Sequence, residues 1–376
     1  MLYTYTYIKH DVEKLQSFLD FLFFEVWCKA EGAFDASKLE GNPELQQLYM
    51  DLGNSESDWA DFFNSNIQLI YEAFLDEITE EADKAYITDA YISNNNIEGI
   101  CTDKTIVAIT YDAIAQQYPK VAAALKIFYG KLYGSSSPFN LEAFGQMNKK
   151  LLPSHYEDFM KINKEEVCPF CGINHLKANN SSCREAYDHY IPKGQYPFST
   201  LNFANLAPMC HECNSSYKLT KLPIYKNDAK KIDPIQQEQG RCLAFYPYAT
   251  IHPKLVFSIA LNTRNIDEMN HSDIDVTITA DGFDEQIVSW KRVFGSDERY
   301  KALLCSPNEG KAWFNSIFEE FENAKVLSDI QDADQYYKAQ LKDANKFPLS
   351  SYGFLKARFL ETCHADGLFV VKDLTP

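Results

Sequence analysis

Three short motifs between residues 167 and 221 decide how this chain is interpreted. They are Cys168-Pro-Phe-Cys171, Asp188-His189-Tyr190-Ile191-Pro192, and Asn205-Leu206-Ala207-Pro208-Met209-Cys210-His211-Glu212-Cys213-Asn214. Two Cys-x-x-Cys pairs therefore enclose an Asp-His dipeptide, and one asparagine stands on either side of the second pair. Pairs with this spacing supply the four sulfur ligands of a tetrahedral structural zinc site. We expect one zinc ion held by Cys168, Cys171, Cys210 and Cys213.

The interval between the two cysteine pairs suggests that it holds a structural element of its own. The 38 residues between Cys171 and Cys210 are more than a plain zinc ribbon uses. The excess is explained if this stretch forms a hairpin that carries Asp188 and His189. Alternative zinc ligands, none of which completes a better spacing, are His175, Cys183 and His211. The other cysteines are scattered and are interpreted as free thiols, as in a reducing cytoplasm.

The order of these motifs resembles that of the HNH (His-Me finger, ββα-metal) endonucleases, in the subgroup whose finger is pinned by four cysteines. The resemblance covers residues 167–221, about a sixth of the chain. It implies a finger in which His189 is the general base and Asn205 orients the imidazole. It also implies that Asp188 and Asn214 bind a catalytic Mg²⁺ or Mn²⁺, while the zinc ion is structural.

The residue types suit phosphodiester hydrolysis, which needs an activated water and a cation at the leaving oxygen. A neutral imidazole accepts a proton near pH 7, and the amide oxygen of Asn214 suits Mg²⁺ or Mn²⁺ better than zinc. Lys218 follows Asn214 by four residues, on the same face of a helix, and is a candidate phosphate contact. Family members often carry this lysine three residues after the position that Asn214 occupies here. Taken singly, the Asp-His pair is typical of a surface turn and Asn214 of a helix N-cap.

Charge is distributed unevenly along the 376 residues, whose formal net charge is −17. The first hundred residues contain 20 Asp and Glu but 5 Lys and Arg, whereas residues 161–231 contain 10 Lys and Arg and 6 Asp and Glu. The mildly basic segment is the one with the motifs, which is the right sign for binding phosphate. The acidic N-terminal region is a solvated surface, a docking surface for a basic protein partner, or a mimic of DNA that blocks the site until it is released.

The hydrophobic pattern predicts an α+β chain that is mainly helical. We expect an acidic helical docking or regulatory domain over residues 1–150, a zinc-stabilised finger over 151–225, and a mixed α/β domain with a small sheet plus helices over 226–376. Helical spacing covers residues 11–29, 59–78, 110–133, 141–163, 286–294, 313–327 and 333–345. Strand patterns cover 244–248, 254–261 and 273–279, with a loop at 134–138 and a linker at 226–239.

The sequence thus predicts a metal-dependent endonuclease that hydrolyses phosphodiester bonds of a nucleic acid, with DNA favoured over RNA as the substrate. An HNH finger in an acidic chain without a P-loop is similar to the nuclease subunits of bacterial two-component ATPase–HNH anti-phage defence systems, of the Septu and retron-associated kind. That similarity implies an ATPase partner subunit. The alternative is a catalytically inactive zinc-finger protein that acts as a binding or scaffold subunit. A cytoplasmic protein without a membrane segment is expected, because no signal peptide or bilayer-length apolar run is present.

Overall fold

The computed structural model of the chain is an α+β protein that is mainly helical and contains two small antiparallel sheets. It describes residues 1–54, 58–132, 151–177, 181, 183–226, 240–327 and 333–369. The predicted fold class is confirmed at this level. Among the helices of those residues, none is both long enough and apolar enough to cross a membrane.

The chain divides into two compact units. The first unit consists of Thr4–Glu166 and Leu176–Thr250, and the second of Met1–Tyr3, Val167–His175 and Ile251–Pro376. The acidic helical region and the segment with the Asp-His motif are therefore parts of one unit. The three predicted domains stay a prediction, and the predicted loop at 134–138 and residues 227–239 of the predicted linker lie outside the described residues.

The first unit is built mainly from helices. In the described residues they are Lys14–Phe21, Pro43–Gly53, Asp58–Glu77, Glu81–Asn95, Ile97–Thr102, Tyr111–Ala115, Pro119–Lys131 and Leu151–Ile162. A 3₁₀ turn at Asp11–Glu13 leads into the first of them, and a π-helical segment, Leu22–Trp27, continues it. The prediction of helix over 11–29 is therefore confirmed, and the apolar positions that supported it are buried: Leu15, Phe18, Leu19, Leu22 and Val26.

Three other predicted helices in this unit show where periodicity succeeds and where it fails. The prediction for 59–78 is confirmed by Asp58–Glu77. The single helix predicted over 110–133 is wrong, because the chain forms Tyr111–Ala115 and Pro119–Lys131 instead. Pro119 starts the second helix, and a proline disfavours helical backbone at the residue before it. Of the helix predicted over 141–163, Leu151–Ile162 is present and residues 141–150 lie outside the described residues.

A short hairpin in the first unit carries the Asp-His motif. Strand β1, Ala186–His189, pairs in antiparallel fashion with strand β2, Leu206–Met209, so that Asp188 lies opposite Ala207. A helical segment that ends in the π-helical turn Cys213–Lys218 follows β2. The hairpin predicted between the cysteine pairs is thus present, and β1 ends at His189, before Pro192.

The second unit contains a small sheet and helices, as predicted for the C-terminal part. Strand β3, Val256–Leu261, pairs with strand β4, Ile274–Thr279, and β4 buries every second side chain. The helices in its described residues are Asp284–Phe294, Ser296–Leu304, Gly310–Leu327, Asp334–Lys346 and Gly353–Ala365. The strand predicted at 244–248, in the first unit, is wrong, because these residues form an irregular segment with a turn that includes Pro247.

Candidate active site and metal centre

Strand β1 presents Asp188 and His189 on opposite faces, as successive residues of a strand must. The hydroxyl group of the preceding residue, Tyr187, forms a hydrogen bond of 2.5 Å with Nδ1 of His155. His155 is itself buried against Phe203, with ring centroids 4.6 Å apart. The aromatic packing therefore holds the strand that carries the two candidate functional side chains.

The imidazole of His189 is held in one tautomer. Its Nε2 atom lies 2.9 Å from the carbonyl oxygen of Thr200. Because a carbonyl oxygen only accepts hydrogen bonds, Nε2 carries the proton and Nδ1 carries the lone pair. Burial, reinforced by the positive charges of Lys193 and Lys218 and opposed by the bond to Thr200, lowers the pKa of His189 to about 3. The side chain is therefore neutral at pH 7, and burial makes the lone pair on Nδ1 a weaker base than that of an exposed imidazole.

Asp188 forms an ion pair inside the protein rather than at its surface. Its Oδ2 atom lies 2.7 Å from Nζ of Lys218, whose side chain is 0% exposed. The same ammonium group donates a hydrogen bond of 2.9 Å to the carbonyl oxygen of His189. Burial raises the pKa of Asp188, while Lys218 opposes that rise. Lys218, the candidate phosphate contact, thus binds the candidate metal ligand and the backbone of the candidate base.

Asn205 positions the chain that follows His189. Its Oδ1 atom accepts from the backbone N–H of Ile191 at 2.7 Å, and its Nδ2 atom donates to the carbonyl oxygen of Ile191 at 2.9 Å. Nδ2 also donates to the hydroxyl oxygen of Ser199 at 3.2 Å. The imidazole is not among these partners, and its Nε2 atom contacts the carbonyl oxygen of Thr200 instead. The amide satisfies buried backbone groups, which would otherwise destabilise the loop.

The loop that carries Thr200 is anchored in the helical part of the same unit. Phe198 is fully buried although its φ angle is +78°, and its ring packs 4.9 Å from that of Tyr91. The side chain of Asn94 donates to the carbonyl oxygen of Pro197 at 3.1 Å, and Asn202 donates to that of Asn95 at 3.0 Å. The acidic helices therefore fix the loop whose carbonyl group sets the tautomer of His189.

Asn214 lies at the start of the π-helical turn that ends with Lys218. The backbone N–H of Leu219 donates to the carbonyl oxygen of Asn214 at 3.1 Å, which is the i→i+5 bond of a π-helix. The side chain of Asn214 is half-buried and makes no hydrogen bond to another described residue. It is therefore available to a ligand. Asn214 and Lys218, four residues apart, therefore lie on a π-helical turn, which is wider than the α-helical turn that was expected.

The first cysteine pair lies on a tight loop in the second unit. The backbone N–H of Cys168 donates to the carbonyl oxygen of Asn174 at 2.8 Å, and that of Gly172 to the carbonyl oxygen of Cys168 at 2.7 Å. Gly172 has a φ angle of +68°, which a residue without Cβ adopts readily. Two backbone amides, those of Ile173 and Asn174, point at Sγ of Cys171 at 3.4 and 3.5 Å. Such donors stabilise a thiolate ligand.

The four cysteines form one cluster. Cys168, Cys171, Cys210 and Cys213 are all buried, and their Sγ atoms lie within 4.8 Å of one another. At Cys210 the backbone N–H of Cys213 points to the sulfur at 3.5 Å. The cluster could hold a zinc ion, because four converging thiolates match its tetrahedral preference. The alternative ligands are exposed and do not join the cluster: His175, Cys183 and His211.

Some residues of the site could not be identified from the sequence. Thr200 contributes a backbone carbonyl group, which every residue type has, and its loop carries no motif. Lys193 follows the Asp-His motif closely, and its positive charge lowers the pKa of His189. A basic residue just after Pro192 is a signal that could have been noticed, because a cation beside the base suits a phosphate substrate.

Similarity to known proteins is confined to a short stretch. Protein ea31 of Escherichia phage lambda is 35% identical to this chain over 63 residues, which are 17% of this chain and 19% of that protein. The chain thus spans about a fifth of the length of the curated relative that it matches. No protein-family model and no solved structure matches the chain. Function must therefore be inferred from the site itself.

Proposed function

We propose that this protein is a metal-dependent endonuclease of the HNH type, with DNA as the substrate and His189 as the general base. The observation that carries the proposal is the hairpin, which places a neutral imidazole of one tautomer directly after a buried carboxylate. A positioned base of this kind accelerates hydrolysis by taking a proton from water. Nδ1 of His189 is the atom that accepts it.

Asp188 and Asn214 are the proposed ligands of the catalytic cation. Their side chains offer a carboxylate and an amide oxygen, the donor types that Mg²⁺ and Mn²⁺ prefer, and therefore fit such an ion. A bound divalent cation would supply charge stabilisation at the scissile phosphate and the leaving oxygen. Lys193 adds positive charge beside the imidazole and favours an anionic substrate. Asn205 and Thr200 keep the base and the chain after it in place.

We assign zinc a structural role at the four-cysteine cluster. All four ligand positions are filled by protein sulfur, which leaves no open site for substrate, as is typical of structural zinc. The oxygen ligands proposed for catalysis are different residues. Zinc content and catalysis should therefore respond to different substitutions, with Asp188→Ala and Asn214→Ala abolishing cleavage or raising the Mn²⁺ it needs while the zinc remains bound.

Nicking of supercoiled plasmid by the purified chain tests the proposal. With Mg²⁺ or Mn²⁺ present, we expect His189→Ala to lose about 10²–10⁴-fold in rate, the usual contribution of a general base. His211→Ala is the matched control, because His211 lies in the same segment but is exposed. Equal rates for His189→Ala and the parent chain would remove His189 from its assigned role.

A second candidate is a catalytically inactive zinc-dependent scaffold. Two observations favour it: the side chain of His189 is nearly buried, and the carboxylate of Asp188 is already neutralised by Lys218. A scaffold of this kind would bind zinc and show no nicking with either cation. The same plasmid assay separates the two functions, provided that a partner protein recovered from the host is added to one set of reactions.

The acidic N-terminal region supports the proposal that the protein works in a complex. A finger with few basic residues beside many carboxylates holds DNA weakly at physiological salt. We therefore propose a basic or DNA-binding partner, for which an ATPase subunit of an anti-phage defence system is the candidate. Affinity purification from the native host followed by mass spectrometry tests this. Efficient cleavage by the chain alone at about 0.15 M salt would contradict it.

A further inference from the structure

Among the lysines that the structure describes, only Lys218 has a side chain that water does not reach. Its side chain is 0% exposed, and its ammonium group contacts Oδ2 of Asp188 at 2.7 Å and the carbonyl oxygen of His189 at 2.9 Å. Removing an ammonium group from water costs several kcal/mol, which is offset only by a close counter-charge and by hydrogen bonds. Lys218 therefore stays buried because Asp188 and His189 supply both.

The same carboxylate is the proposed ligand of the catalytic cation. Asp188 is almost fully buried, and a single buried carboxylate balances one unit of positive charge. Two cations on one carboxylate repel each other strongly where water is excluded. The ammonium group of Lys218 and a divalent cation are therefore competing counter-ions of Asp188.

The backbone directly after Lys218 is strained. Leu219 has φ and ψ angles of 48° and −117°, a combination that side chains other than glycine rarely adopt. The backbone N–H of Lys221 donates to the carbonyl oxygen of Lys218 at 2.8 Å and closes a turn that begins at Lys218. Lys218 is also the last residue of a π-helical turn, a feature frequent at functional sites. Lys218 is thus followed directly by a strained residue.

We propose that Lys218 is an exchangeable counter-ion: it occupies Asp188 in the resting protein, and a divalent cation displaces it. This inference rests on the proposed function, because it assumes that Asp188 binds a catalytic cation. Once displaced, the ammonium group leaves a buried position at the finger and becomes available to the phosphate of the substrate. Lys218 is thus a positioning residue whose displacement couples cation binding to substrate binding.

Binding of Mn²⁺ alone to the full, zinc-loaded chain tests the competition, measured by isothermal titration calorimetry. Lys218→Met should bind Mn²⁺ at least about ten-fold more tightly than the parent chain, because the competing charge is removed. Lys221→Met is the matched control and should bind as the parent does. Asp188→Asn should not bind. Equal affinity of the parent chain and Lys218→Met would overturn the exchange while leaving the cation site in place.

Amine labelling of the unaltered chain provides a readout that does not depend on any variant folding. An acetylating reagent followed by peptide mass spectrometry should label Lys218 slowly without Mn²⁺ and several-fold faster with it, while Lys221 reacts equally in both. Unchanged protection of Lys218 at saturating Mn²⁺ would overturn the exchange. If neither the parent chain nor Lys218→Met binds Mn²⁺, the proposed catalytic function fails, and the exchange fails with it.

Discussion

The acidic helices of the first unit and its hairpin segment, which is residues 186–218, use charge in opposite ways. In the helices, ion pairs such as Lys14–Glu44 and Lys120–Asp76 join side chains that are at least two-fifths exposed. In the hairpin segment, Asp188 and Lys218 are paired where the exposure is 9% and 0%. Exposed pairs contribute little to stability because water and salt screen them, whereas buried pairs are costly to break. The two regions therefore differ in where their paired charges lie: the helices keep these pairs in contact with water, whereas the fold removes Asp188 and Lys218 from it.

Removing a zinc ligand should have the largest effect on the stability of the hairpin segment, and it should leave the surface ion pairs unchanged. Cys213→Ser removes one of four sulfur ligands, and a structural zinc ion is worth about 10–16 kcal/mol in small zinc peptides. We expect loss of zinc by elemental analysis, with a sharp fall in soluble yield and melting temperature. Cys305→Ser is the control, because Cys305 lies outside the cluster. Parent protein that is well folded without zinc would contradict the structural role.

Breaking the buried ion pair tests the comparison directly. Lys218→Met should lower the free energy of unfolding by about 3–5 kcal/mol, because it leaves the carboxylate of Asp188 buried without its counter-charge. The double variant Lys218→Met with Asp188→Asn should be more stable than Lys218→Met alone. Urea unfolding of the parallel surface pair, Lys120→Met and Asp76→Asn, should show little change. A similar cost for both pairs would show that burial is not the difference that matters.

The pH dependence of stability should report the buried imidazole of His155. Burial and the nearby charge of His10 lower its pKa to about 4, opposed by Asp158. In the unfolded chain the pKa is near 6.5, so the unfolded state binds the proton first and stability falls as the pH drops from 6.5 towards 4. The loss at pH 4 should be about 3 kcal/mol.

The variant His155→Gln isolates this contribution, because glutamine keeps a hydrogen-bonding side chain without a titratable group. Urea unfolding at pH 7 and pH 4 should show a smaller difference for His155→Gln than for the parent chain. Asp188 acts in the opposite sense, since a raised carboxyl pKa favours the folded state as the pH falls. An equal pH response in both proteins would show that His155 does not titrate between these limits.

The smallest expected effect is a gain in stability at the strained turn. Leu219→Gly should raise the free energy of unfolding by about 1 kcal/mol, since glycine adopts a φ of 48° without strain and the Leu219 side chain is 55% exposed. Leu219→Ala keeps a Cβ atom and should show no such gain. Thermal unfolding of the three proteins measures the difference. A loss of stability in Leu219→Gly would argue against strain at this position.

About half of the helices in the described residues were predicted, because their apolar residues recur at helical spacing over several turns. The segment Lys14–Phe21 and the helix Asp58–Glu77 are of this kind. The helix Glu81–Asn95 was missed, since its polar residues surround a short apolar stripe and it is held by packing. The predicted strand at 244–248 failed for the opposite reason: its aromatic residues are buried by tertiary contacts without any strand partner.

Residue type and spacing were sufficient to identify the four cysteines, because Cys-x-x-Cys geometry is local and requires only a tight loop at each pair. The same reasoning put Asp188 and His189 on a hairpin, where they occupy neighbouring positions of one strand, and their catalytic role stays a prediction. Only the tertiary structure determined that Thr200 orients the imidazole, that Asn205 binds backbone, and that Lys218 is a buried counter-ion. The reason is physical: these roles depend on burial and on backbone carbonyl groups, and the sequence of side chains records neither until the chain has folded.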